Sequence, residues 1–342
     1  MAKFDTSHVS SCIVGMSAAT VGTLALLHTD FTRTDMAVFG GGYQRAVERS
    51  FDDNIPLRAL SVHGWNALKL GLLNQPSAGA FIGTSGRMFT TQELVTPASE
   101  FHFMTELLAA KTALETRNIT LLPVVIPDKS RIYADELGPA RAPELMSRYG
   151  AILDEINAAN LATVDLSIAF GTAKQNVEVY MWTDTHWSPE GAEIAAQYIA
   201  SELAQHTLEH TEFATTKSAP DPFEGDLVSF AATGPFRDIV GPRFETITPY
   251  DTVATSPPAD LFGDVQIPLA LVGTSFSDRT EFHFDGFLKQ QTGLDLINYA
   301  KSGLGPFQPM RDFLASDALE SAPPSIVIWE IPERYISPED LS

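Results

Sequence analysis

The groups from which acid–base chemistry is built are densest in the run Tyr180-Met181-Trp182-Thr183-Asp184-Thr185-His186-Trp187-Ser188-Pro189-Glu190-Gly191. An Asp two residues ahead of a His can turn its carboxylate toward Nδ1, which leaves Nε2 as a base of fixed tautomer. The same spacing also suits a plain turn in which Asp184 caps a backbone amide and His186 is a satisfied surface residue. Metal ligation is disfavoured, because no second His lies at the i, i+4 spacing of a helical site. Trp182 and Trp187 flank the pair, and their rings suit either stacking on a sugar or packing around a rigid turn.

A base of this kind needs a nucleophile, and two Gly-Thr-Ser tripeptides each follow a hydrophobic run. Gly83-Thr84-Ser85 comes after Ala80-Phe81-Ile82 and leads into Gly86 and Arg87, which reads as a tight turn between two short strands. Gly273-Thr274-Ser275 follows Leu269-Ala270-Leu271-Val272 and precedes Phe276-Ser277-Asp278 with an apolar helical pattern beyond, so it reads as strand, turn and helix. A Ser on such a turn projects its Oγ at the sheet edge, and its own N–H, near a helix N-terminus, can face a developing oxyanion. Paired with Asp184 and His186, Ser275 is the better nucleophile candidate, with Ser277 as its alternate.

These residues need strand ends to hold them. Val177 to Trp182 reads as a strand, and Ser188, Pro189 and Glu190 read as a helix start with a capping hydroxyl, Pro at the first position and an acid at the positive dipole end. Ala192, Ala195, Ile199 and Leu203 then form the buried stripe of that helix. Phe103, Leu107, Ala110 and Leu114 mark another helix, as do Leu145, Tyr149, Ile152 and Ile156. Ile119 to Ile126 is an apolar, β-branched run suited to a strand covered on both faces. Further strands are predicted at 162–166, 268–272, 294–299 and 325–330, with helices at 282–290 and 307–315. Alternating strands and helices imply a mostly parallel sheet, and ligands bind outside the carboxyl ends of such strands. Residues 28–75 read as irregular lead-in with one or two short helices, and residues 213–262 as an inserted loop region.

The chain has 342 residues, enough for about two domains or one large α/β domain. With 22 Lys and Arg against 43 Asp and Glu, its formal charge is −21, which excludes nucleic acid as a default partner. A hydrophobic share of 44% with 19% charged residues is a globular composition. The single Cys12 excludes an intramolecular disulfide and a Cys-rich zinc site. Cys12 to Leu27 carries no charge but is shorter than the ~20 apolar residues of a bilayer-spanning helix. Residues 1–30 are read as a signal peptide or membrane anchor, with a buried small-residue helix as the alternative. No later segment predicts a membrane span.

The blocks TDTHWSPEGA (183–192), LVGTSFS (271–277), VVIPDKSRIY (124–133), NYAKSGLGPFQPM (298–310) and WEIPERY (329–335) together resemble the alginate O-acetyltransferase family of SGNH-hydrolase-like proteins, of the AlgJ/AlgX type. The resemblance implies a circularly permuted, three-layer α/β/α domain over residues 31–342, with the Asp-x-His ahead of the Ser. It implies O-acetylation of an exopolysaccharide in the periplasm, beside a membrane acetyl-donor protein, within a polysaccharide-assembly complex. On this resemblance Ser275 is the nucleophile, His186 the general base and Asp184 its orienting partner, while Ser85 is structural. Leu304 stands between Gly303 and Gly305 where many members carry a basic residue. The chain ends soon after WEIPERY, which reads as the short, anchored type without an appended carbohydrate-binding module.

The expected chemistry is ping-pong acyl transfer through an acetyl-serine, with no cofactor and no metal. Oxyanion or substrate contacts are expected among Asn298, Gly303, Thr274, Trp187 and Arg334. Arg334 and Glu333 suit either an ion pair between strand-end side chains or a substrate contact, and Asp128, Lys129 and Arg131 either an anion site or a solvated turn. His63, His102, His206, His210 and His283 are read as structural. A carbohydrate esterase using the same Ser and His, and a silent scaffold, are the alternatives. An acidic protein repels a polyuronate at long range, so a neutral polymer or a locally basic groove is favoured.

Overall fold

The computed structural model describes residues 17, 19–32, 41–56, 58–98, 100–138, 140–255 and 267–341. The chain divides into two compact units, residues 1–73 with 232–241, and residues 74–231 with 242–342. The sequence predicts one body from residue 31; the division falls instead at Leu73.

In the first unit, residues 19–28 are helical, followed by α1 (Gly42–Asp53) and α2 (Arg58–Leu73). These helices are longer than the lead-in reading allows. Ala67 and Leu70 form the buried side of α2. Residues 1–16 and 18 of the predicted leader lie outside the described residues, and among those described no helix is long and apolar enough to cross a membrane.

The second unit is built on four parallel strands, β3 (Thr120–Ile126), β8 (Leu269–Val272), β9 (Leu296–Asn298) and β10 (Ile326–Pro332), in the order β3-β10-β8-β9. Ile326 pairs with Thr120 on one side and Leu269 on the other, and Leu269 pairs with Leu296. Side chains alternate between faces along a strand, and here both faces are apolar. Leu122, Val124, Leu271 and Ile328 enter one core with residues of α5 (Leu166–Ala173), α6 (Pro189–Leu203) and α7 (Phe284–Thr292). Leu121, Val125, Val272 and Trp329 enter the other with α3 (Phe103–Glu115), α4 (Pro143–Ala158) and α8 (Phe307–Leu314). This is the three-layer α/β/α arrangement. A hairpin of β1 (Ala80–Ile82) and β2 (Met88–Thr90) carries Gly83 to Ser85 in its turn.

Three expectations change. Residues 162–166 form no strand, because the Asp165 carboxylate caps the N–H groups of Ser167 and Ile168 and starts α5 at Leu166. Residues 177–182 give only one antiparallel bridge, Tyr180 with Trp187. The amides of Trp182 and Thr183 donate to the Glu245 carboxylate, both at 2.6 Å, and not to a neighbouring strand. The predicted insertion holds two antiparallel ladders, β4 (Phe213–Lys217) with β7 (Tyr250–Ala254) and β5 (Asp221–Phe223) with β6 (Glu245–Ile247). Residues 256–266 of it lie outside the described residues.

Trp329 is fully buried and its indole donates to the Pro306 carbonyl at 3.0 Å, so it ties the sheet to the loop before α8. Trp329→Ala is expected to lower unfolding stability by about 3–5 kcal/mol, read from guanidinium denaturation.

Candidate active site

Ser275 opens a one-turn helix, Ser275–Asp278, directly after β8. Thr274 caps it, its hydroxyl accepting from the Phe276 N–H at 3.3 Å. The Ser275 N–H stands at the first helical position, where no intrahelical acceptor exists. Beneath the turn lies Glu330 of β10, which accepts from the Thr274 N–H at 2.7 Å and from the hydroxyls of Thr274 and Ser277, both at 3.1 Å. A Cβ on Gly273 would stand 2.4 Å from the Glu330 carboxylate, so only glycine lets the turn sit on it. Burial pushes the Glu330 carboxyl up to about 7, against the pull of the Thr274 and Ser277 hydrogen bonds.

Across 89 positions of sequence, His186 Nε2 lies 2.7 Å from Ser275 Oγ. His186 Nδ1 faces Asp184 Oδ1 at 2.5 Å, and the His186 N–H donates to the same oxygen at 2.9 Å. Asp184 Oδ2 accepts from the Asp226 N–H at 2.9 Å and from Arg279 Nη1 at 3.2 Å. Burial alone would raise the Asp184 carboxyl, but the His186 hydrogen bond and charge, with Arg279, hold it well below the usual carboxylate range. Arg279 also touches His186 Nδ1 at 3.3 Å and pairs with Glu281 at 2.5 Å. Phe276 and Phe282 pack on the imidazole, with centroids at 4.7 and 5.3 Å. A hydroxyl, an imidazole and a buried carboxylate in this chain can pass a proton from oxygen to nitrogen while the charge that forms is stabilised.

The backbone around Asp184 is held from several sides. Lys129 donates to the carbonyls of Met88 at 2.5 Å, Asp184 at 2.9 Å and Trp182 at 3.1 Å. Burial, helped by the Arg87 charge, pulls this amine down to about 7. A Cβ on Gly225 would stand 2.1 Å from the Thr183 carbonyl, so the segment bearing Asp226 approaches through a glycine. Among the described residues, Asp184, His186 and Asp226 could together hold a metal ion. Two of these three already form the chain to Ser275, and Asp226 is engaged by the Thr185 N–H at 2.8 Å and hydroxyl at 2.6 Å.

The other sequence candidates separate on geometry. Ser277 is buried on Glu330, and Ser85 hydrogen-bonds the Glu136 carboxylate in its hairpin turn. Thr274 is spent on capping and on Glu330. Trp187 is fully buried between Phe276 and Phe284, at 5.2 and 4.6 Å, so its ring supports the core under His186 and offers no face to a sugar. Trp182 lies between the guanidiniums of Arg87 and Arg243, at 4.2 and 4.3 Å. Asn298 donates to the Ser277 carbonyl at 2.7 Å, which leaves its second amide hydrogen available. Gly303 is exposed with φ +81°, in the loop whose Lys301 N–H donates to the Gly273 carbonyl at 3.1 Å.

Asp128, Lys129 and Arg131 form no free anion site. Asp128 takes Arg141 and Arg148 at 3.0 and 2.6 Å, while Arg131 takes Glu333 at 2.6 Å. Glu333 is thereby committed, and among the described residues Arg334 has no ion pair. Its guanidinium stands 5.3 Å over the Phe276 ring, its Nε has no partner, and it is 9% exposed. Of the remaining histidines, His102 pairs with Asp340 at 2.7 Å, His210 faces the Thr292 carbonyl at 3.0 Å and His283 faces the Thr252 hydroxyl at 2.7 Å. Sequence reasoning missed Arg279, Asp226 and Glu330. Only Arg279, four residues beyond Ser275, carried a local signal.

The family model described as SGNH hydrolase-like domain, acetyltransferase AlgX, matches residues 80–333. The probable alginate O-acetylase AlgJ of Pseudomonas putida is 33% identical over 338 residues, covering 95% of this chain and 86% of that protein. Its counterpart in Pseudomonas aeruginosa is 36% identical over 322 residues, covering 88% and 82%. Among solved structures, the O-acetyltransferase domain of Pseudomonas putida AlgJ superposes with a TM-score of 0.68 at 31% identity, over 75% of this chain and 92% of that one. Pseudomonas aeruginosa AlgX follows at 0.63 and 26%, over 75% and 63%. The arrangement of Ser275, His186 and Asp184 on a three-layer sheet thus sits in a chain that belongs to the SGNH hydrolase-like, AlgX-type acetyltransferase family.

Proposed function

We propose that this chain is an O-acetyltransferase that moves acetyl groups onto hydroxyls of an extracytoplasmic polysaccharide, by way of an acetyl-Ser275 intermediate. The observation that carries the reading is the 2.7 Å contact between His186 Nε2 and Ser275 Oγ, backed by a carboxylate that is buried and ionised. His186 takes the Ser275 proton as Oγ attacks the acetyl carbonyl of the donor, then returns it to the departing donor oxygen. A sugar hydroxyl next attacks the acyl-enzyme; its proton passes to His186 and on to Ser275 Oγ as that bond breaks. The Ser275 N–H is the first oxyanion donor, with the free hydrogen of Asn298 and the Gly303 N–H as the further candidates. No cofactor enters these steps.

The names of the relatives point to alginate, a polyuronate, as the acceptor. The net charge of −21 opposes such a polymer at long range, and Arg334 supplies the local cation that offsets this. A guanidinium that has no carboxylate within ion-pair range among the described residues and leaves its Nε unpartnered, over the ring next to the nucleophile, supports a carboxylate contact from the substrate. The site is read as working in the periplasm beside a membrane-bound acetyl donor, with the segment before residue 30 as leader or anchor.

Ser275→Ala is expected to abolish labelling by a fluorophosphonate and formation of the acetyl adduct seen by intact-protein mass spectrometry. Asp184→Asn should keep the fold and lower kcat by about 10⁴-fold. Labelling that survives Ser275→Ala would remove the nucleophile assignment. Incubation with acetyl ester and oligouronate, followed by mass spectrometry, should give acetylated sugar; acetate alone would make the chain an esterase.

Arg279→Met is expected to slow acyl-enzyme formation by roughly 10-fold, equivalent to about 1.4 kcal/mol of barrier, with Arg279→Lys intermediate. Glu330, whose folded pKa is raised, binds its proton more tightly in the native state. Its contribution is therefore full below the unfolded carboxyl range and is lost as pH rises through about 7. Stability of the wild type relative to Glu330→Gln should decline across that window, as measured by denaturation at a series of pH values.

A further inference from the structure

The first unit carries a surface that the proposed chemistry does not use. On α2, Ala67 and Leu70 are buried, at 8% and 5% exposure, and Gly64 and Gly71 meet Phe236 and Val240 of the same unit. The opposite side holds Trp65, Leu68 and Leu72, spaced by three and four residues and 60%, 50% and 74% exposed. A water-facing helix side normally carries polar residues; this one presents its largest apolar side chains at the pole farthest from its own core. Leu24, Leu26 and Leu27 of residues 19–28 in the same unit are likewise exposed, at 42%, 52% and 74%.

Charge singles out what covers this face. Between Asp53 and Glu93 the chain has no carboxylate, although it holds 43 in all, and Arg58 and Lys69 both lie on α2. Arg58 approaches Asp52 only at 3.9 Å, with both side chains about half exposed. An apolar helix side with a Trp, flanked by cations on a helix that itself carries no carboxylate, matches a helix lying in a bilayer surface, where its apolar face enters the acyl boundary and long cationic stems reach phosphates. A second copy of the chain fits less well, because an isologous contact of this face would bring the Arg58 and Lys69 cations of the two copies together. In sequence, the uncharged run from Cys12 to Leu27 continues the apolar character toward the N-terminus.

We propose that Trp65, Leu68 and Leu72 of α2, with Arg58 and Lys69 beside them, dock this unit onto the surface of an anionic phospholipid bilayer. The inference is independent of the acetyl-transfer reading, since none of these residues belongs to the site. The test uses the full chain with vesicles of equimolar phosphatidylcholine and phosphatidylglycerol whose acyl chains are brominated. Trp187 and Trp329 are fully buried and Trp182 is half-buried between Arg87 and Arg243, so the quenching expected is that of Trp65, identified by its disappearance in Trp65→Phe. In Leu68→Glu/Leu72→Glu, the quenching should fall roughly fivefold or more, while circular dichroism and fluorophosphonate labelling stay at wild-type levels. Absence of Trp65 quenching in the wild type, or equal quenching in the double variant, would overturn the proposal. A dimer seen by light scattering and lost in the double variant, without quenching, would also overturn it and assign the face to a second copy.

Discussion

The Asp184 carboxylate is the group around which the second unit is organised. It is completely buried, and an isolated ionised carboxylate taken out of water costs several kcal/mol or more, enough to drive it to its neutral form. A neutral Asp184 would neither fix the tautomer of His186 nor stabilise an imidazolium. The structure therefore surrounds it with donors: His186 Nδ1, the amides of His186 and Asp226, and the Arg279 guanidinium. Each donor belongs to a different constraint. The His186 pair is local, Asp226 arrives through the glycine at 225, and Arg279 follows from the helix that Ser275 begins. The same arginine that keeps the carboxylate charged is thus tied by four residues of chain to the nucleophile turn.

The parallel sheet explains why Glu330 meets the turn that carries Ser275. All four strands run the same way, so their carboxyl ends share one edge. The last strand in sequence, β10, is interior to the sheet and pairs with both β3 and β8. Its Glu330 can therefore grip the turn after β8 from below, while Glu333 closes the ion network with Arg131, Arg141 and Arg148 beside β3. Replacing such a network with apolar residues is often neutral for stability, whereas removing one partner is costly. Its value here is geometric: it fixes the adjacent ends of β3 and β10 beside the turn that follows β8.

How much of this was legible follows from how local each signal is. The Asp-x-His and the Gly-Thr-Ser after an apolar strand are contained within a few residues, and the Ser188-Pro189-Glu190 helix start is read from capping chemistry alone. Strand β3 and helices α3, α4 and α6 followed from periodicity. Residues 162–166 misled because a short apolar run cannot by itself distinguish a strand from the approach to a helix, and Asp165 is a cap. Trp187 misled because a Trp beside a polar pair has no sequence mark for facing inward. Glu330 and Asp226 were invisible, since their roles arise from register across the sheet and from a glycine-permitted approach 42 residues away.

Two buried cations sharpen the distinction between support and recognition. Lys129 and Arg334 both lack a carboxylate partner within ion-pair range among the described residues, and both are desolvated. Lys129 compensates with three backbone carbonyls, one of them that of Asp184. Its hydrogen-bonding capacity is filled, so it serves as a pin between the β1–β2 hairpin and the Asp-x-His segment. Arg334 has five N–H donors, and no acceptor in the described protein takes its Nε. Aromatic faces of Phe276 and Tyr335, at 5.3 and 5.5 Å, support the plane but accept no directed hydrogen bond of comparable strength. A desolvated guanidinium left in that state weakens the free protein and gains most from an incoming carboxylate. On the proposed function, that asymmetry would favour an acceptor bearing a carboxylate, because the free Nε would find no partner in one that lacks it.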